Sequence, residues 1–175
     1  MNTRNEASEG IVSFLESDKK VLLITGTHQY EKHKLVLQTI SEYCSHKSRI
    51  LFRGNSMQNF GTFFENNTAS FKTGEGYKIA NHTMYLDTIN RTSWKKTRYD
   101  YDFGILYPLD SAYKDAKRDE LLQDLINRCN KVLLVSWTDN TSFDYSKINH
   151  FLDSHVIFDA LEERPNYHQR ILDSL

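Results

Sequence analysis

The chain has few of the residues that break or staple a fold. Two prolines and seven glycines in 175 residues leave no material for long flexible linkers. Two cysteines, Cys44 and Cys129, stand in no metal-ligand spacing, and each closes a predicted helix on its apolar side. They read as buried, reduced thiols. No apolar run approaches the roughly 20 residues that span a bilayer. The stretch Met1 to Glu9 is polar and holds no signal-peptide core. A cytoplasmic protein with no membrane partner is therefore expected. Charge of one sign is missing too. The net charge is -1 and the pI about 6.7, so no overall basic field marks a nucleic-acid binder. The seven histidines form no H-E-x-x-H and no paired Cys/His spacing, and there is no G-x-S-x-G elbow. A resident metal is not expected.

What is present is an ordinary globular composition, 39% hydrophobic and 26% charged. Ten Tyr, ten Phe and two Trp argue against disorder. The length suits one domain, residues 1–175, with a real core.

Apolar periodicity lays out the elements. Glu6 to Ser17 reads as a helix, and Lys20 to Thr25 as a buried strand. Glu31 to Ser45 is a second helix, and Arg49 to Arg53 a short strand stopped by Gly54-Asn55. Met57, Phe60, Phe63 and Phe64 mark a short helix. A hairpin is expected over Phe71 to Gly74 and Tyr77 to Leu86, turned at Gly74-Glu75-Gly76. Phe103 to Tyr107 is a strand, Asp115 to Cys129 an amphipathic helix, and Lys131 to Ser136 the next strand. A short helix over Tyr145 to Leu152, a strand over His155 to Phe158 and a helix over Glu162 to Leu175 close the chain. Nearly all-apolar strands separated by helices are covered on both faces. They predict a three-layer α/β/α fold on a mostly parallel sheet, with an inserted hairpin region around 70–90.

Ligands on such sheets bind beyond the carboxyl ends of the strands. Four segments stand there: Gly26 to Lys34, Arg53 to Ser56, Tyr107 to Asp110, and Ser136 to Asn140. The first has the order of a phosphate-binding loop: strand, glycine, polar loop, lysine, helix. With Gly26 as the first position of G-x-x-x-x-G-K-[ST], Lys32 falls on the lysine. Glu31 replaces the second glycine, where the backbone must approach an anion. His33 replaces the hydroxyl that would hold Mg²⁺. The third strand ends in Tyr107 where a magnesium-orienting acid would stand, with Asp110 three residues on. Asp110 also suits a cap for the following turn. Ser136, Thr138 and Asn140 follow the fourth strand, where a polar sensor of a γ-phosphate would lie.

In this order of parts, Glu6 to about Ala160 resembles a P-loop NTPase core of the RecA/AAA-like kind. The resemblance implies ATP or GTP with Mg²⁺, and often ring-shaped assemblies on nucleic acid. Carried over residue by residue, it nominates Gly26, Thr27, Lys32, His33, Asp110 and Asn140 as a degenerate nucleotide site. Glu31, His33 and Tyr107 depart from the pattern and speak against hydrolysis, so no resident cofactor is assigned.

Apart from the resemblance, Trp94-Lys95-Lys96-Thr97-Arg98-Tyr99 mixes aromatics with cations. That composition grips a phosphate backbone and stacks on bases, and it nominates Trp94, Lys95, Lys96 and Arg98. Lys47, Arg49 and Arg53 read as a second basic cluster, and Glu162-Glu163 as a salt-bridge pair or helix start. Three functions follow. The first is a non-catalytic descendant of a P-loop NTPase, binding or scaffolding a protein partner, a second copy of itself or a nucleic acid. The second is an active nucleotide-dependent enzyme with unorthodox ligands. The third is a nucleic-acid-binding module.

Overall fold

The computed structural model describes residues 1–137 and 144–174. Helix α1 (Arg4–Glu16) starts at a capping box, in which Thr3 and Glu6 satisfy each other's backbone amides. Strand β1 (Val21–Thr25) and helix α2 (Lys32–Tyr43) follow, then β2 (Arg49–Gly54). A turn of 3-10 helix (Met57–Asn59) leads into the short α3 (Phe60–Phe63). Strands β3 (Gly76–Ile79) and β4 (His82–Thr88) form the inserted hairpin, and a 3-10 segment (Arg91–Lys96) leads to β5 (Tyr101–Leu106). Helices α4 (Leu109–Tyr113) and α5 (Arg118–Arg128), strand β6 (Cys129–Val135), a 3-10 turn (Ser146–Phe151), β7 (Ser154–Ile157) and α6 (Pro165–Asp173) complete the chain.

The sheet has seven strands in the order β3-β4-β2-β5-β6-β1-β7. Only the β3–β4 pairing is antiparallel among the described residues. Both faces are buried, and the strand period of two sorts the apolar side chains between them. Leu22, Ile24, Ile50, Phe52, Leu133 and Val135 join Ile11 and Phe14 of α1 and Val36 and Ile40 of α2. Val21, Leu23, Leu51, Val132 and Leu134 join Leu109 of α4 and Leu122 and Leu125 of α5. The expected mostly parallel three-layer arrangement is what the chain adopts.

The hairpin lies where it was expected but turns elsewhere. Its strands pair Ile79 with His82, so the turn is Ala80-Asn81. Ala80 takes φ +52°, a conformation that its residue type does not announce. Gly74 (φ +79°) is the glycine that sequence patterning mistakes for the turn. It lets residue 74 press on the 3-10 segment, where an added Cβ would lie 2.4 Å from the Lys96 carbonyl oxygen. The two cysteines are free; Cys129 is buried, whereas Cys44 is only half-buried. No helix among the described residues is long and apolar enough to cross a membrane.

Candidate functional site

The loop after β1 is closed on itself. Gly26 (φ +130°) crosses beneath the end of β7, where any Cβ would stand 1.8 Å from the Phe158 carbonyl oxygen. The glycine is needed for that strand-to-strand approach. Four of the loop amides already have partners within the chain. Thr27 N donates to Asp159 Oδ1 at 2.9 Å, and His28 N to Phe158 O at 3.4 Å. Gln29 N donates to Thr27 O at 3.0 Å and Glu31 N to His28 O at 3.2 Å. The Lys32 ammonium is fully buried; it donates to the Gly26 carbonyl and, at 3.4 Å, to Trp137 O.

The C-terminal segment from Ala160 through helix α6 supplies the rest of the closure. Thr27 Oγ1 accepts from Ala160 N at 2.9 Å and lies 2.6 Å from His168 Nδ1. His28 Nε2 is 2.8 Å from Glu163, which also binds Arg4 at 2.5 Å. These two bonds, the Arg4 one first, hold the Glu163 carboxyl down at about 2. Glu163 is thus the salt-bridge partner expected of it. Tyr167 donates to the Gln29 side chain at 2.8 Å. None of these partners can be paired from sequence, because they lie more than 130 residues from the loop.

His33 leaves the loop altogether. Its ring stacks on Tyr107 at 4.1 Å between centroids and 18° between planes. Nε2 meets the Phe63 carbonyl at 2.8 Å, so it carries the proton and Nδ1 is an acceptor. Nδ1 is buried without a hydrogen-bond partner among the described residues. Burial drives the His33 pKa down to about 4, so the ring is neutral. Burial also raises the Tyr107 phenol, which stays protonated. Asp110 is buried in the first turn of α4, and its Oδ2 accepts from Trp137 N at 2.5 Å. It ties α4 to the end of β6, and the N-cap position of α4 belongs to Pro108. Asn140, with Thr138, lies outside the described residues.

The groups around the loop do not fit Mg²⁺: a buried neutral imidazole and a protonated phenol stand where its ligands would be. Among the described residues no cluster of His, Cys, Asp or Glu could hold a metal.

Beside the closed loop lies an open cleft of about 760 Å³. All four strand-end segments reach it, through Tyr30, His33 and Lys34, Asn55, Tyr107, Pro108 and Asp110, and Trp137. Asn59, Thr62, Phe63 and Asn67 of the segment after β2 form the facing wall.

The basic run is built differently from its sequence reading. Trp94 is buried, donates from Nε1 to Thr88 O at 2.8 Å and carries the Arg53 guanidinium 4.4 Å over its ring. It anchors the segment and offers no face for stacking. Lys95, Lys96 and Arg98 are exposed, and Tyr99 is 64% exposed. Arg53 belongs to no surface cluster. It is fully buried, bidentate to Asp87 at 2.8 Å and 2.9 Å from Asp124. Arg128 extends this network to the carbonyls of Trp94, Thr97 and Arg98. Sequence reading missed it because its members are scattered over β2, β4 and α5.

No protein-family model and no curated protein sequence matches the chain. Solved structures do. A large terminase from the thermophilic bacteriophage D6E, in complex with ADP, superposes with a TM-score of 0.56 at 8% identity over 97% of this chain. A second crystal form of that terminase gives 0.58 at 7%. The fold is P-loop NTPase-like. The chain spans about half of the terminase, 48% of its length. At such identity the likeness carries architecture alone, and the side chains must argue function.

Proposed function

We propose that this chain is a non-catalytic P-loop NTPase-like protein of RecA/AAA-like descent, serving as a binding or scaffold subunit for a macromolecular partner. The observation that supports it is the closed loop. A phosphate cradle needs inward-facing amides and a free ammonium. Here Thr27, His28, Gln29 and Glu31 donate to the chain itself, and Lys32 is folded onto a loop carbonyl. A triphosphate would have to displace these bonds and the contacts of the C-terminal segment at Thr27 and His28. The test is a melting scan with millimolar ATP and GTP, with and without Mg²⁺. The expected result is no shift, whereas a ligand at a hundred times its Kd stabilises by about 2.7 kcal/mol. A magnesium-dependent rise that Lys32→Ala removes would establish instead the enzyme reading built on Lys32, Asp110 and Asn140.

A second reading is carried by the exposed Lys95, Lys96 and Arg98 beside the exposed Tyr99. Cations flanking a free ring suit a nucleic-acid backbone and one stacked base. Retention of labelled single-stranded DNA or RNA should fall with salt and vanish in the Lys95/Lys96/Arg98 triple alanine variant. Unchanged mobility at low salt rejects it.

A further inference from the structure

The cleft beside the loop carries a matched pair of unused polar groups. Asn55 Oδ1 accepts from Ser56 N at 3.0 Å, which fixes the orientation of that amide, since a backbone N–H must meet its oxygen. Asn59 Nδ2 donates to the same Oδ1 at 2.9 Å, which fixes the second amide in turn. Left over are the Asn55 NH₂ donor and the Asn59 Oδ1 acceptor. Neither has a further side-chain or backbone partner among the described residues, and both residues line the cleft. One donor beside one acceptor matches the edge of a ring that carries an acceptor next to an N–H.

The other walls agree with such a ring. Tyr30 is 53% and Trp137 39% exposed, although large aromatics are usually covered, and both border the cleft with Phe63 and Tyr107. His33, whose Nδ1 is buried without a hydrogen-bond partner among the described residues, also lines the cleft. The cleft volume lies in the range of small-molecule sites and exceeds what one ring needs. Lys114 stands exposed at the rim with no ion-pair partner among the described residues. It is placed for a phosphate or sugar attached to that ring.

We propose that this cleft binds a nucleobase, read by Asn55 and Asn59 and covered by Tyr30 and Trp137. The base arrives on a free nucleoside or on a single strand. The site is distinct from the loop after β1 and does not rest on the non-catalytic reading, because a nucleoside has no phosphate for that loop to hold.

Saturation-transfer NMR with adenosine, cytidine, guanosine and uridine tests it, with matching homopolymer oligonucleotides as the second arm. Saturable transfer to the base protons of at least one nucleoside is expected. Asn59→Leu keeps the branched four-atom side-chain shape and removes the acceptor, and it should weaken binding roughly three- to tenfold, the effect of one hydrogen bond. Trp137→Ala, whose backbone ties to Lys32 and Asp110 persist, should weaken it similarly and supplies the readout if Asn59→Leu does not fold. Tighter binding of the oligonucleotide that Lys114→Ala removes assigns the base to a strand. Equal binding assigns it to the nucleoside. No transfer from any nucleoside or oligonucleotide at millimolar concentration overturns the proposal. So does unchanged affinity in a folded Asn59→Leu or Trp137→Ala protein.

Discussion

The loop after β1 and the cleft next to it occupy the same edge of the same sheet and have opposite polar accounts. In the loop, the amides of Thr27, His28, Gln29 and Glu31 are matched within the chain, as is the Thr27 hydroxyl between Ala160 and His168. In the cleft, one amide NH₂, one amide oxygen and one imidazole nitrogen remain. Of these, the imidazole nitrogen is buried and the two amide groups are half-buried, so the cleft keeps hydrogen-bonding capacity open to solvent or a ligand. The difference teaches where a ligand is to be sought, and it is not where the glycine and lysine of the motif point.

The largest effect that would break this contrast is expected at Gly26. An added Cβ meets the backbone of Phe158, and the φ of +130° is one that side-chain-bearing residues rarely adopt. Gly26→Ala should cost more than about 3 kcal/mol in urea unfolding, or yield no folded protein. Asn59→Leu in the cleft should cost about 1 kcal/mol or less, because only the bond to Asn55 is lost. Similar costs at the two positions would mean that the loop is no more tightly closed than the cleft.

The next effect is acid sensitivity, and it belongs to the cleft floor. The His33 pKa falls from 6.5 to about 4 on folding because burial disfavours its charged form. Between those values the unfolded chain binds the extra proton, so stability is full above pH about 6.5 and declines as pH falls toward 4. The decline is worth roughly 3 kcal/mol in the limit. His33→Gln should flatten that slope whatever it does to stability at neutral pH. Glu163 acts in a lower window. Its carboxyl is lowered from 4.5 to about 2 by Arg4 and then His28, so its contribution is present above pH 4.5 and lost below it. With about a third of that side chain exposed, the loss is expected under about 1 kcal/mol. Urea midpoints at pH 7, 5.5 and 4 separate the two groups. An unchanged slope in His33→Gln would show that His33 is not the buried neutral group.

The architecture was legible because Val21 to Ile24 and Val132 to Val135 are unbroken apolar runs, which only a doubly covered sheet accommodates. The hairpin turn was not, because Ala80 carries no mark of a positive φ while Gly74 does. The strand ends that form the site were placed correctly, for chain order fixes which edge they share. Their chemistry was not. Sequence gives Lys32 a charge but not a direction, and its ammonium turns back to Gly26. Arg49 and Arg53 share a sheet face by the strand period, but position 53 is fully covered and its guanidinium pairs with Asp87. Asn55 reads only as a strand stop, and its hydrogen bond with Asn59 shows which amide atoms are left over.

The smallest predicted effect sharpens the comparison most, because it asks whether α6 is part of the closure. Helix α6 has no buried residue, so apolar packing does little to hold it down. What ties its segment to the loop are polar contacts: His168 on Thr27, Tyr167 on Gln29 and Glu163 on His28. Removing one hydrogen bond, as in His168→Ala, should cost about 1 kcal/mol. Thr27 still accepts from Ala160 in that variant, so its hydroxyl is not stranded. If the contacts act together, the loss is felt along the helix. Amide exchange from Tyr167 to Asp173 should then quicken by about fivefold, the kinetic counterpart of that energy. Exchange in α5, which packs Leu122 and Leu125 into the opposite face of the sheet, should stay unchanged. Quickening in both helices would make His168 a determinant of global stability, and quickening in neither would detach α6 from the loop. Only the selective response makes the C-terminal helix the cover that the phosphate would have to lift.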